Sequence, residues 1–215
     1  MGRQLGTGNW QLATLGYDLV VARTVALIVA NDPGSGFVGS KYLRPLGPVT
    51  MIERVVADAA AWPVDEVVVV LGPDAEEIIE STDLGEATIV IDPEWEEGIA
   101  ASLRVGIDVV RRQPGADCLI IGLGDQPGIS VDLVVDLLER SGSQRAVVPK
   151  YRYRRGWPVV VYHELWDRLL GFEGPVDLHD MLESHSGDVA EVWADTLEPP
   201  RLLHPSDFPA RRPEA

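Results

Sequence analysis

Four short runs constrain this chain more than anything else in it. Thr24–Ala30, Glu66–Leu71, Ala87–Ile91 and Asp117–Leu123 are apolar and rich in β-branched residues at nearly every position, rather than at alternate positions. A strand with one wet face alternates, whereas a strand buried on both faces does not. Helical patterns separate the runs: Val49–Ala61, with Ile52, Val55, Val56 and Ala59 on one face, Asp74–Ser81, Gly98–Arg112, and a helix capped by Ser130 that runs to about Arg140. Strand and helix in alternation predict an α/β fold, a single three-layer domain with a mainly parallel sheet covered on both sides.

The last third departs from that rhythm. Ala146–Pro149 and Pro158–Tyr162 read as strands flanking a basic turn, Lys150 to Arg155. Short helices are expected near His163–Leu170 and Val176–His185, and a final strand near Val189–Ala194. The expected organisation is an extension over residues 1–23, a domain over 24–197 and a Pro-rich, irregular tail over 198–215.

Composition narrows the partners. Asp and Glu number 34 against 18 Lys and Arg, a net charge of −16. A nucleic-acid binder carries the opposite sign, and an anionic membrane surface repels such a protein. Any phosphate site must therefore be a local basic patch. The one cysteine, Cys118, lies inside an apolar run and fits a reducing, cytoplasmic setting. The longest early apolar stretch, Leu19–Ala30, is interrupted by Arg23 and is too short for a membrane span, and no secretory signal is recognisable.

Ligands of parallel sheets sit beyond the carboxyl ends of the strands. The loop Asn31–Lys41 carries Gly34, Gly36 and Gly39 before Lys41. Glycines let backbone N–H groups approach a phosphate and the lysine adds charge, although Asp32 is an awkward anion there; a plain surface loop is the alternative. In Gly122-Leu-Gly-Asp125-Gln-Pro-Gly128, Asp125 follows a buried strand and is placed to bind Mg²⁺ carried by a nucleotide, or else to cap the next turn. Gly122, Gly124 and Gly128 superficially resemble a dinucleotide fingerprint, but they follow the fourth strand rather than the first. Lys150-Tyr-Arg-Tyr-Arg-Arg155 is the other candidate anion site; Lys41 and Lys150 are the chain's two lysines.

Together these pieces resemble the MobA/MocA-type nucleotidyltransferases, which attach CMP or GMP to molybdenum cofactor on a GT-A-like, Rossmann-type fold. Lys41-Tyr-Leu-Arg-Pro-Leu-Gly-Pro-Val-Thr50 is similar to the second half of the family's first motif. Trp95-Glu-Glu-Gly98 leading to Ser102-Leu-Arg104, Gly124-Asp125-Gln-Pro127, and Gly156-Trp-Pro158 resemble three further segments; Asp195-Thr196 is a weak likeness of a fourth. The first half of the loop departs: Gly36 stands where the family has Arg, Gly34 where it has Ser, and Asp32 where it has Gly.

The resemblance implies an NTP substrate (CTP or GTP), Mg²⁺, and an acceptor of the molybdopterin class. It implies catalytic roles for Lys41 and Asp125, and nucleotide contacts from Gly34, Gly36, Lys41, Ser102 and Arg104. The acceptor would meet Lys150 and Arg155, and the metal would be held by Asp125 and Asp195. With the loop Arg missing, another cation must reach the phosphates, and Arg104 is the expected one. The alternative is a catalytically degenerate binding or chaperone module in cofactor maturation, contacting the pterin or a molybdoenzyme.

Overall fold

The computed structural model describes residues 23–140, 144–171, 178–184 and 186–209. The N-terminal extension lies outside the described residues, save that Arg23 already opens the first strand. In chain order the strands are β1 (Arg23–Ala30), β2 (Pro45–Leu46), β3 (Val49–Thr50), β4 (Glu66–Leu71), β5 (Thr88–Ile91), β6 (Ala116–Leu123), β7 (Ala146–Tyr151), β8 (Arg154–Arg155), β9 (Val159–Tyr162) and β10 (Val189–Ala194). The helices are α1 (Met51–Ala60), α2 (Ala75–Ser81), α3 (Ile99–Val110), α4 (Val131–Glu139), α5 (Trp166–Leu170) and α6 (Leu178–Glu183).

One sheet dominates, in the order β10-β7-β9-β6-β1-β4-β5, with β8 paired to β7. The pairs β1/β4, β1/β6, β4/β5 and β7/β10 are parallel, and β9 runs antiparallel to both β6 and β7. The expected mainly parallel α/β architecture is therefore the observed one. Successive residues of β1 point to opposite faces. Leu27 touches α3, where a Cβ on Gly106 would come within 2.6 Å of it, while Ile28 shares Gly122 with Trp62 at the end of α1. Val25–Ala30, Val68–Leu71 and Leu119–Ile121 are accordingly buried on both faces.

Local chemistry fixes the element ends. Thr50 and Glu53 form a reciprocal capping box at the start of α1, and the Ser130 hydroxyl accepts from the Leu133 N–H at the start of α4. The basic turn is a hairpin in which Lys150 faces Arg155 and Tyr151 faces Arg154. The helix expected over Val176–His185 spans Leu178–Glu183 among the described residues; His185 lies outside them. Among the described residues no helix is long and apolar enough to cross a membrane.

This topology locates a crevice. From β1 the chain builds outward through β4 to β5, then returns to lay β6 on the other side of β1. The loops leaving β1 and β6 therefore diverge, and the gap between them is where a ligand fits.

The candidate nucleotide site at the β1–β6 crevice

Asp125 stands two residues beyond the end of β6 and is 1% exposed. Gly124 lets β6 come this close to β1: a Cβ there would sit 2.6 Å from that of Ala30. Both carboxylate oxygens of Asp125 are engaged. Oδ1 accepts from Nε of Arg201 at 2.9 Å, and Oδ2 accepts from Nη2 of Arg201 at 2.8 Å and from Nζ of Lys41 at 2.8 Å. Lys41 is fully buried, and its Nζ also lies 3.3 Å from Asp32. Arg201 reaches Asp32 at 3.4 Å. Two carboxylates and two cations thus form one closed cluster.

Burial alone would raise the Asp125 carboxyl, but the hydrogen bonds and charges of Arg201 and Lys41 hold it below the usual aspartate value. The Arg201 guanidinium, disfavoured by burial, is held above its usual value by Asp125 and Asp32. Tyr42 lines the floor; its oxygen accepts from the Asp32 N–H, and burial followed by the Asp125 charge pushes its phenol well above the ordinary range, so it stays neutral.

A cavity of about 350 Å³ opens on this cluster. Its walls include Asn31 and Asp32, the indoles of Trp95 and Trp157, Gly98 and Ile99 at the head of α3, and Arg201. The first N–H groups of a helix have no partner within it and favour an anion. An adjoining cavity of about 320 Å³ shares Trp157 and Arg201 with the first and adds Gln126, Arg154, Arg155, His179 and Glu198.

The crevice unites Lys41 and Asp125, as the sequence suggests, and gives Asp32 a purpose: the awkward anion of the loop is the second carboxylate of the cluster. Several other expected members lie elsewhere. Ser102 is fully buried and donates to Asp92 at 2.6 Å, tying α3 to the end of β5 rather than facing the cavity. Arg104 pairs with Glu97 at 3.2 Å and does not line the cavity. Asp195 is exposed where the edge strand β10 ends and does not line the cavity. Lys150 and Arg155 both bind Glu191; Arg155 reaches the adjoining cavity and Lys150 does not. Gly34 and Gly36 hold φ of 71° and 73°, and a Cβ on Gly34 would strike Lys41 Cδ at 2.8 Å. Gly122 and Gly124 serve close packing, against Ile28 and Trp62 and against Ala30, which removes the dinucleotide reading of that loop.

Sequence reasoning missed Arg201 by assigning its segment to an irregular tail. The segment is irregular, with a single 3-10 turn at Pro205–Asp207, but it packs on the site. Leu202 is buried and its N–H donates to the Asp125 carbonyl at 2.8 Å. The Ser35 N–H donates to the Leu203 carbonyl at 3.3 Å, Ser35 Oγ meets His204 Nδ1 at 2.8 Å, and Phe208 packs edge-on to Phe37. The one signal was the apolar pair Leu202-Leu203 inside an otherwise polar, Pro-rich tail.

Residues 26–189 match the family described as the MobA-like NTP transferase domain. The chain belongs to that family. Among curated proteins it is similar to the nicotine blue oxidoreductase of Paenarthrobacter nicotinovorans, 28% identical over 130 residues; the match takes in 57% of this chain and 62% of that protein. Among solved structures, the Rv0371c homologue from Mycobacterium sp. strain JC1 is 26% identical with a TM-score of 0.75, over 86% of this chain and 92% of that one. The Rv0371c complex with manganese from Mycobacterium tuberculosis H37Rv is 23% identical with a TM-score of 0.72, over 86% of this chain and 96% of that one. This MobA-like chain therefore has a nucleotidyltransferase-type fold, with its most polar buried cluster at the switch point of that fold.

Asp125 and Asp32 offer hard oxygen donors drawn together around shared cations, a donor set suited to Mg²⁺ or Mn²⁺. Among the described residues no three His, Cys, Asp or Glu side chains converge to hold a metal by themselves. A divalent cation here would take its remaining ligands from phosphate and water.

Proposed function

We propose that this protein is a metal-dependent nucleotidyltransferase that moves NMP from an NTP, CTP or GTP, to a phosphorylated acceptor of the molybdopterin class, in the cytoplasm. The observation that carries the reading is the meeting of Asp125 and Asp32 with the head of α3 in one cavity, with the buried Lys41 ammonium paired to both carboxylates beneath it. An Rv0371c structure is a complex with manganese, which is in keeping with a divalent ion in a protein of this fold.

In the proposed reaction a phosphate oxygen of the acceptor attacks the α-phosphorus, the bond from that phosphorus to the bridging oxygen of the β-phosphate breaks, and pyrophosphate leaves. The metal, held by Asp125 with Asp32 beside it, supplies charge neutralisation at the phosphate oxygens when bound. Lys41 contributes a fixed ammonium whose position is set by burial. The head of α3 offers N–H groups to phosphate oxygens. Trp95 and Trp157 form flat walls for a base or a pterin. Arg155, with Arg154, faces the adjoining cavity, where an anionic acceptor fits. Such a reaction depends on positioning and electrostatics more than on covalent participation of the protein.

A second reading, a binding or chaperone module without turnover, is favoured by Gly36 at the position of the family's loop Arg and by the full neutralisation of the cluster's charges. One panel separates the two. CTP, GTP, ATP, UTP and NAD are added with and without Mg²⁺, and unfolding temperature and pyrophosphate release are followed. A ligand at 100 times its Kd adds about 2.7 kcal/mol of stability. The enzyme reading expects a metal-dependent shift with one pyrimidine or purine triphosphate, and pyrophosphate release once a pterin phosphate is present. A shift without release favours the module, and a shift with NAD alone overturns both.

A further inference from the structure

Arg201 stands out when the cations of the crevice are compared. Lys41 is sealed: its side chain is fully buried and held by two carboxylates. The Arg201 side chain is 37% exposed and comes from a segment with no regular structure, yet it takes both oxygens of Asp125 in a fork. Forked, charge-assisted pairs of this kind are short and directional. Any divalent cation that binds Asp125 must compete with that fork, and of the two cations only Arg201 has room to withdraw.

It also has somewhere to go. Arg201 lines both the cavity at the head of α3 and the adjoining one with Gln126, Arg154 and Arg155. Its backbone stays fixed during such a move, because the next residue donates to the Asp125 carbonyl and Pro199 accepts from Gln126 Nε2 at 2.7 Å. A swing of the side chain alone carries the guanidinium from carboxylate to phosphate.

The Gly-rich loop supplies an independent observation. The strap of residues 199–208 lies against it, and a Cβ built on Gly36 would meet Pro205 Cδ at 3.8 Å with nothing else within 4 Å. A side chain at position 36 would therefore start out toward the strap, the segment that brings in Arg201. The loop has given up its cation on the side where the strap delivers one.

We propose that Arg201 is the exchangeable cation of the site. It occupies Asp125 in the free protein and turns to the triphosphate when nucleotide and divalent metal bind, taking the part of the Arg absent at Gly36. The inference rests on the nucleotidyltransferase reading, but its first test needs no nucleotide.

Mn²⁺ binding to the free protein is measured by the loss of the free-ion EPR signal, for the parent, Arg201→Gln and Arg201→Lys. The affinity of each for CTP and for GTP is then measured at saturating Mn²⁺. Arg201→Gln is expected to tighten Mn²⁺ in the absence of nucleotide by about ten-fold, the effect of releasing one charge-assisted competitor, and to weaken the triphosphate by about ten-fold. Arg201→Lys, which keeps the charge but loses the fork, should tighten Mn²⁺ by less and keep most of the triphosphate affinity. Unchanged or weaker Mn²⁺ binding in Arg201→Gln overturns the proposal, because it means that the guanidinium does not compete with metal. Triphosphate affinity equal to the parent's overturns it as well. Should Arg201→Gln fail to fold, the Mn²⁺ comparison alone is read from Arg201→Lys, where no tightening of Mn²⁺ is the overturning result. A parent that takes up Mn²⁺ but binds neither triphosphate would defeat the nucleotidyltransferase reading instead, so the two failures are distinct.

Discussion

Two clusters in this protein have the same parts, carboxylate and paired cations, in different solvents. In the crevice Asp125 meets Lys41 and Arg201; at the hairpin edge Glu191 meets Lys150 and Arg155. The side chains of Asp125 and Lys41 are 2% and 0% exposed, whereas those of Glu191, Lys150 and Arg155 are 29%, 25% and 21% exposed. Charges cut off from water interact strongly and tolerate no vacancy, while charges at a wet edge are screened and can trade partners cheaply. The Asp125–Lys41 pair is thereby fixed and chemically committed, whereas Arg201, 37% exposed, and the edge cluster are free to adapt. An enzyme that binds nucleotide in a defined pose and accepts a second anion beside it has use for one of each.

The largest expected effect breaks the crevice cluster. Asp125→Asn leaves the Lys41 ammonium buried with only Asp32 opposite it. Removing one partner of a buried pair typically costs about 3–5 kcal/mol. A lowered unfolding temperature and complete loss of metal-dependent nucleotide binding should appear together; a variant that binds Mn²⁺ and nucleotide like the parent would reduce Asp125 to a turn residue. Next in size is Lys41→Met, which keeps the volume and leaves Asp125 to Arg201. Its cost should be smaller, about 1–3 kcal/mol, since the remaining carboxylate is still forked. Chemical denaturation with unchanged m-value checks it, and a loss as large as that of Asp125→Asn would show that Arg201 does not sustain the carboxylate.

The contrast between the clusters also explains what the sequence could disclose. β1, β4 and β6 were legible because burial on both faces leaves a signature at every residue. Ala87–Ile91 carries the same apolar signature, but β5 is the edge strand and leaves Ile89 and Ile91 exposed, so burial on both faces does not hold there. β4 and β10 end where the pattern ends. Lys41 and Asp125 were legible because loop position follows from strand order. Arg201 was not, because nothing within the tail's own sequence says that Leu202 will hydrogen-bond to a residue 77 positions earlier in the chain, as the Leu202 N–H does to the Asp125 carbonyl. Ser102 misled for the opposite reason. The motif marked it as important, and it is, but its partner is Asp92, whose other oxygen accepts from the Glu94 N–H and so shapes the turn that carries Trp95. Asp195 was assigned by a likeness of two residues; it follows the edge strand β10, exposed, and does not line the cavity.

Acid separates the clusters in a graded way. Asp125 titrates below its ordinary value, so its contribution is fully present above the unfolded aspartate pKa of about 3.9 and is lost as pH falls through the lower folded value. Glu191 is also held low, first by hydrogen bonds from Lys150 and Arg155, and its contribution disappears in the same direction below about pH 4.3. Stability should thus fall on acidification in the parent. The slope between about pH 4 and 2 should be reduced in Asp125→Asn more than in Glu191→Gln, since the exposed pair is screened. Equal slopes in the two variants would deny the difference in burial its consequence.

The smallest expected effect on stability, and the sharpest on function, comes from Glu191→Gln. The carboxylate is a partly exposed anchor, so removing its charge should change stability by no more than about 1 kcal/mol. Lys150 and Arg155 would then keep their positive charge without the anion that neutralises them. Arg155 already reaches the cavity beside Trp157 and Arg201, so the released charge falls where an anionic acceptor would sit. Affinity for a phosphorylated pterin, or for inorganic phosphate as a minimal probe, should rise a few-fold, with a steeper loss on adding salt because the site is wet. Nucleotide affinity should stay level, since the crevice cluster has no member in common with this one. Were phosphate affinity unchanged while stability held, the basic hairpin would be a solvated turn, and the acceptor would have to be sought against Trp157 and Gln126 instead.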